Sequence, residues 1–139
     1  MRILILGANK LGLHMANSLE SEGHEITLLA EEKGQLSFLP KGTSVKSKLL
    51  HRSLSEGLSE SGATKTDILL AITENDHINA FAAQLATSVF NVEKVFCRID
   101  DPSRGMLYKT LGLNVMSTTS LIEESILSQI HPEKGIGNK

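Results

Sequence analysis

The sequence predicts an α/β fold, a Rossmann-like doubly wound parallel sheet of six strands in the order 3-2-1-4-5-6. Three observations carry this. Short apolar runs alternate with amphipathic helical stretches along the chain, as they do where helical crossovers join parallel strands. The runs "RILIL" (2–6) and "TDILLAIT" (66–73) are apolar almost throughout, which suits centre strands covered on both faces. A glycine turn, "GANKLG" (7–12), leaves the first run and opens a helix, the arrangement of nucleotide-binding βαβ units.

The elements follow in order. After the first strand, Lys10 to Ser21 reads as a helix with Leu11, Met15 and Leu19 on one stripe. Gly23 ends it, and "HEITLLA" (24–30) is the second strand. Glu31 to Leu39 has room for a short helix before Pro40 and Gly42. "TSVKSKLL" (43–50) reads as a third, more polar strand near an edge. Ser53 and Glu56 have capping-box spacing and start a helix that ends near Gly62. The fourth strand leads into the longest helix, Asp76 to Phe90, with Ile78, Phe81, Ala82, Leu85 and Val89 as its predicted core face. "EKVFCRI" (93–99) is the fifth strand. Asp101 caps the next helix with Pro102 at its first position, and that helix carries Met106, Leu107 and Leu111 to Gly112. "LNVMS" (113–117) is a short sixth strand, and Thr118 or Thr119 caps a closing helix through Ile130. Residues 1–130 thus form one domain, and 131–139 read as a polar tail or a truncated linker.

Composition narrows the function classes. A formal net charge of -2 lacks the basic excess of a nucleic-acid surface. No apolar run approaches the ~20 residues that span a bilayer, and the four apolar residues between Arg2 and Gly7 do not read as a signal peptide. The one cysteine, Cys97, lies within an apolar strand and reads as a core thiol of a reducing compartment. The five histidines have no metal-ligand spacing.

In a doubly wound sheet, ligands bind at the carboxyl edge where strand order reverses. The turn residues Gly7, Ala8, Asn9, Lys10, Leu11 and Gly12 gather there, with Thr73 and Asn75 after the fourth strand and Arg98 at the end of the fifth. Gly7 permits the tight turn and Gly12 lets the helix pack closely, while the helix N-terminus offers amides to a phosphate. Asn9 stands where a dinucleotide fingerprint has its second glycine, and asparagine is the non-glycine residue best suited to positive φ there. Ala30 occupies the ribose-binding acidic position and Glu31 follows it. Lys10 and Arg98 add positive charge.

The stretches "GANKLGLHMANSLESEGHEITLL" and "TDILLAITENDHINAFAAQLATSVFNVEKVFCRIDDPSRGMLYKTLGLNVMSTTSLI" resemble the TrkA N-terminal domain, also called the KTN or RCK domain, the regulator of potassium conductance. The most specific part is Thr66-Asp67, Ala71, Thr73, Asp76 and Asn79, continuing through Arg98, Asp101-Pro102, Leu107-Tyr108 and Leu111-Gly112. The likeness runs from Met1 to about Ile130. It implies a non-enzymatic, cytoplasmic regulatory subunit or gating domain that reaches the membrane through a potassium channel or transporter subunit. It also implies a homodimer or larger ring that responds to an adenine nucleotide (ATP, ADP, AMP or NAD(H)), with a di- or triphosphate preferred over NAD because Ala30 holds the ribose-binding position. By the same resemblance, Lys10 stands where many members have a phosphate-contacting arginine, and Thr73 and Arg98 border the nucleotide. Asn9, Ala30 and "LLHRS" (49–53) depart from the family pattern. Two alternatives accompany this reading: a ligand-free assembly module, and an NAD(P)-dependent oxidoreductase.

Overall fold

The first strand sets the architecture, because an extended chain sends alternate side chains to opposite faces. In the computed structural model, which describes residues 1–51 and 53–133, β1 (Arg2–Leu6) sends Ile3 and Ile5 into one core and Leu4 and Leu6 into the other. It therefore lies mid-sheet. With β2 (Glu25–Ala30), β3 (Lys46–Leu49), β4 (Ile68–Ala71), β5 (Lys94–Arg98) and β6 (Val115–Met116) it forms a six-stranded sheet ordered β3-β2-β1-β4-β5-β6. Every neighbouring pair is parallel, the order and sense the sequence predicts.

The helices are α1 (Lys10–Ser21), α2 (Leu54–Glu60), α3 (Asp76–Ser88), α4 (Pro102–Thr110) and α5 (Thr118–Ile130), with a 3₁₀ segment at Lys33–Phe38. Ala16 of α1, with Leu13, Met15 and Leu19 beside it, covers the Ile3 and Ile5 face. Leu58 of α2 and Ala82 and Ala86 of α3 cover the Leu4 and Leu6 face. Cys97 and Ile99 pack with Ala80 and Ala83 of α3, and Tyr108 of α4 closes over them. Burial, with the Asp76 charge adding to it, pushes the Cys97 thiol up to about 12, so it is an inert core group as predicted. Among the described residues no helix is long and apolar enough to cross a membrane.

Element ends follow the local chemistry. Ser53 Oγ accepts the Glu56 N–H at 3.2 Å and donates to Glu56 Oε1 at 2.9 Å. Asp101 caps α4 through the Ser103 N–H, with Pro102 opening the helix. The motif residue Asp67 accepts the Arg2 N–H at 2.8 Å, pinning β4's entry to the start of β1.

Four expectations are corrected. The cap of α5 is Ser117, which accepts the Ser120 N–H at 3.1 Å, because the Thr118 hydroxyl is engaged elsewhere. The third strand starts at Lys46, since Thr43 and Ser44 hydrogen-bond the Glu20 carboxylate of α1 instead of joining the ladder. In α3 the buried face is Asn79, Ala80, Ala82, Ala83 and Ala86, while Phe81 and Val89 are 52% and 57% exposed. A helix lying close on a sheet takes small side chains at the contact and turns the large ones outward. Leu11 is exposed for the same reason, and Gly12 and Ala16 are the residues of α1 that are buried. Within the expected tail, residues 134–139 lie outside the described residues, as does Arg52 of "LLHRS".

Candidate functional site

The glycine turn is shaped by backbone contact. Gly7 has φ +120, and a Cβ there would lie 2.9 Å from the Thr73 nitrogen. A Cβ on Gly12 would lie 1.7 Å from the Gly7 carbonyl oxygen. Both glycines are therefore fixed by how the turn packs on itself and on the end of β4. Asn9 corrects the expectation of positive φ: its φ is -77 and its ψ -173. It is the N-cap of α1, a position for which asparagine is equally suited. Its Oδ1 accepts the Gly12 N–H at 2.9 Å, and its Nδ2 donates to the Ile72 carbonyl at 2.8 Å. One amide of the helix N-terminus is thereby taken. The amides of Lys10 and Leu11 precede the first intrahelical bond, from the Leu13 N–H to the Asn9 carbonyl, and are the ones a ligand can use.

Beside the turn opens a cleft of about 540 Å³, within the size range of small-molecule sites. Ala8, Asn9 and Lys10 form its inner end, and His14 and Asn17 extend that wall along α1. Gln35 and Phe38 of the 3₁₀ segment stand opposite, and Glu74 closes the β4 side. Sequence reasoning missed the outer wall. Its signal was the i, i+4, i+7 spacing of Lys10, His14 and Asn17, which puts them on one helix face. Ala30 is fully buried in the core. Glu31 is half-buried beside it, and burial, with the charges of Glu32 and Glu74, raises its carboxyl above the usual range.

On the other side of β4 the predicted residues belong to a hydrogen-bonded clamp. Thr73 is fully buried, and its N–H and hydroxyl both donate to Asn79 Oδ1, at 2.9 and 2.7 Å. Asn79 Nδ2 donates to the carbonyls of Thr73 and Arg98, both at 2.9 Å. Asn75 caps α3 through the Ile78 N–H. Asp76 accepts the N–H groups of Asp100 and Asp101 at 2.9 and 3.0 Å. The Arg98 guanidinium meets Asp100 Oδ2 through Nε at 3.0 Å and Nη2 at 2.9 Å. Asp100 Oδ1 accepts the N–H and hydroxyl of Thr118 at 3.1 and 2.7 Å. Thr73, Asp76 and Asn79 thus tie the loops after β4 and β5 together, and Asp100 ties both to α5.

Burial pushes the Asp100 carboxyl up, but hydrogen bonds from Arg98 and Thr118 and the Arg98 charge outweigh it, so its pKa lies below the usual value. A carboxylate whose folded pKa is depressed stabilises the fold above its unfolded pKa and loses that contribution as pH falls through the folded one. Asp100→Asn is therefore expected to melt below the parent at neutral pH. The gap should close as melts are repeated toward the acid end of the carboxylate range.

Known proteins share this framework. Residues 3–119 match the TrkA-N domain family. The Trk system potassium uptake protein TrkA of Streptomyces coelicolor is 28% identical over 134 residues, covering 95% of this chain and 59% of that protein. TrkA of Haemophilus influenzae is 34% identical over 99 residues, covering 71% of this chain and 22% of that protein. The chain thus spans less than two-thirds of the length of either. The solved TrkA-N domain of the inner membrane protein ybaL from Escherichia coli superposes with a TM-score of 0.77 at 14% identity, covering 92% of this chain and 95% of that one. The Kef CTD of Shewanella denitrificans, solved in AMP-bound form, gives 0.73 at 15% identity, covering 99% and 84%. At these identities the solved structures bear on the fold alone. The family match spans most of the sequence and both halves of the doubly wound sheet, and the chain belongs to the TrkA-N domain family.

Proposed function

We propose that this chain is a nucleotide-responsive regulatory domain of a potassium uptake system, acting on the cytoplasmic side of a membrane channel or transporter subunit. The observation that carries the reading is the cleft at the N-terminus of α1, at the switch point of a TrkA-N sheet. Its ligand is an adenine nucleotide whose phosphate sits on the Lys10 and Leu11 amides, with the Lys10 ammonium alongside. Glu74 in the cleft wall and Glu31 near it favour one phosphate over three.

The role is regulatory rather than catalytic. The carboxylates of Asp76 and Asp100 and the hydroxyl of Thr73 are committed to backbone and side-chain partners, which leaves them unsuited to proton transfer. The response is read out through a dimer or ring. Met106 and Leu107 of α4 and Leu121, Ile122, Ile126 and Ile130 of α5 are all more than half exposed, an apolar surface of the kind that marks a protein contact.

The test is a thermal-shift series with AMP, ADP, ATP, NAD and NADH at millimolar concentration, with AMP expected to raise the melting temperature most. Asn9→Gly frees the Gly12 N–H and removes a side chain from the cleft, so AMP is expected to bind it more tightly. Unliganded, it should lose about 1 kcal/mol through the missing cap and the bond to Ile72. Weaker binding instead means the Asn9 amide touches the ligand. A ligand-free assembly module is the second reading, favoured by the Asn9 cap and the Arg98–Asp100 pair. A dimer with no shift for any nucleotide would establish it.

A further inference from the structure

Asp100 stands between two groups of opposite purpose. One oxygen holds the Arg98 guanidinium, and the other holds the N–H and hydroxyl of Thr118, the first residue of α5. A carboxylate at a helix N-terminus satisfies an orphan amide and complements the helix dipole. Here it anchors a helix with no buried residue, whose apolar side chains face outward. The anchor is therefore a large part of what fixes α5 to the domain.

Arg98 has a second position open to it. β5 lies two strands from β1 in the sheet, about 10 Å at the usual strand spacing, and both end at the carboxyl edge. A long side chain leaving β5 there can reach a phosphate resting on the α1 turn. The Arg98 and Asp100 side chains are 17% and 30% exposed, so the pair keeps a solvent-facing edge at which a second anion can compete for the guanidinium.

We infer that Arg98 and Asp100 form a ligand-sensitive latch, in which a nucleotide phosphate draws Arg98 off Asp100 and loosens the hold of Asp100 on α5. This rests on the nucleotide reading above and adds the route by which occupancy reaches the apolar helix. The two states are Arg98 on Asp100 and Arg98 on phosphate. The ligand shifts the balance because only one state offers it the guanidinium. The fixed part is the clamp beneath: Asn79 holds the Arg98 carbonyl and Asp76 holds the Asp100 amide, so the strand end stays in place while the side chain moves.

The experiment is amide exchange followed by NMR at Thr118 in the full chain, with and without AMP, for the parent, Arg98→Gln, Arg98→Lys and Asp100→Asn. Without ligand, Arg98→Gln and Asp100→Asn are expected to exchange Thr118 about tenfold faster, the worth of one charge-assisted hydrogen bond. Arg98→Lys should restore part of the protection. AMP should accelerate Thr118 in the parent and leave Asp100→Asn unchanged. Unchanged exchange in ligand-free Arg98→Gln overturns the latch whether or not nucleotide binds. Amide shifts at Lys10 and Leu11 on adding AMP, with Thr118 unaffected, also overturn it while leaving the nucleotide reading intact. No shift at the turn with any nucleotide overturns the nucleotide reading, and ligand gating with it.

Discussion

Asn79→Ala is expected to lower stability by about 4 kcal/mol, counting four hydrogen bonds near ~1 kcal/mol each, with any buried donor left bare costing more. The side chain has no solvent exposure and joins Thr73, on the loop after β4, to the Arg98 carbonyl at the end of β5. Alanine would fit the helix well but would leave the Thr73 N–H without its acceptor and the hydroxyl with only the Asn75 carbonyl at 3.2 Å. For a domain of this size that is a fall in melting temperature on the order of 10–15 °C, a large share of a total stability of about 5–15 kcal/mol. Asn79→Asp keeps the acceptor, removes both donated bonds and buries a charge, so it should also melt early, and earlier as pH rises. Thermal melts of the two variants against pH separate these outcomes. If both melt within about 1 °C of the parent, the clamp is not holding the carboxyl edge together.

Gly12→Ala is expected to be of comparable severity for a steric reason. The added carbon would lie 1.7 Å from the Gly7 carbonyl oxygen. The obstacle is backbone and cannot rotate away, so the turn itself must shift, at about 3 kcal/mol or more. Gly34→Ala is the control, because a Cβ there meets nothing within 4 Å and no positive φ opposes it. Its melting temperature should match or slightly exceed the parent's, by the usual gain from a less flexible unfolded chain. Equal melting temperatures for the two variants would mean the turn does not pack as described.

The sheet was legible because period-two burial and near-continuous apolar runs leave little choice for β1 and β4, and right-handed crossovers then fix the order. Caps written as Ser-x-x-Glu or Asp-Pro were legible for the same local reason. What the sequence hid was the competition among uses for one residue type. Asn9 qualifies for positive φ and for helix capping, and its bonds to Gly12 and Ile72 decide for the cap. Ala82, Ile78 and Leu85 do pack on the core as expected, but Phe81 and Val89 are more apolar than Ala80 and Ala83, so ranking by hydrophobicity misplaced those two on the buried face of α3. Close packing on the sheet selected the small residues and Asn79. At the site, proximity was readable and commitment was not. Thr73 and Arg98 do lie at the carboxyl edge, but their polar atoms face Asn79 and Asp100, residues 6 and 2 positions further along the chain.

The central claim is that a nucleotide occupies the cleft at the α1 turn, and NMR titration of the parent chain with AMP tests it most directly. The account predicts saturable shifts of the Lys10 and Leu11 amides, accompanied by His14 on the same wall and Gln35 across the cleft. Shifts confined to residues away from the carboxyl edge, or none up to millimolar AMP, ADP, ATP and NAD, would contradict it.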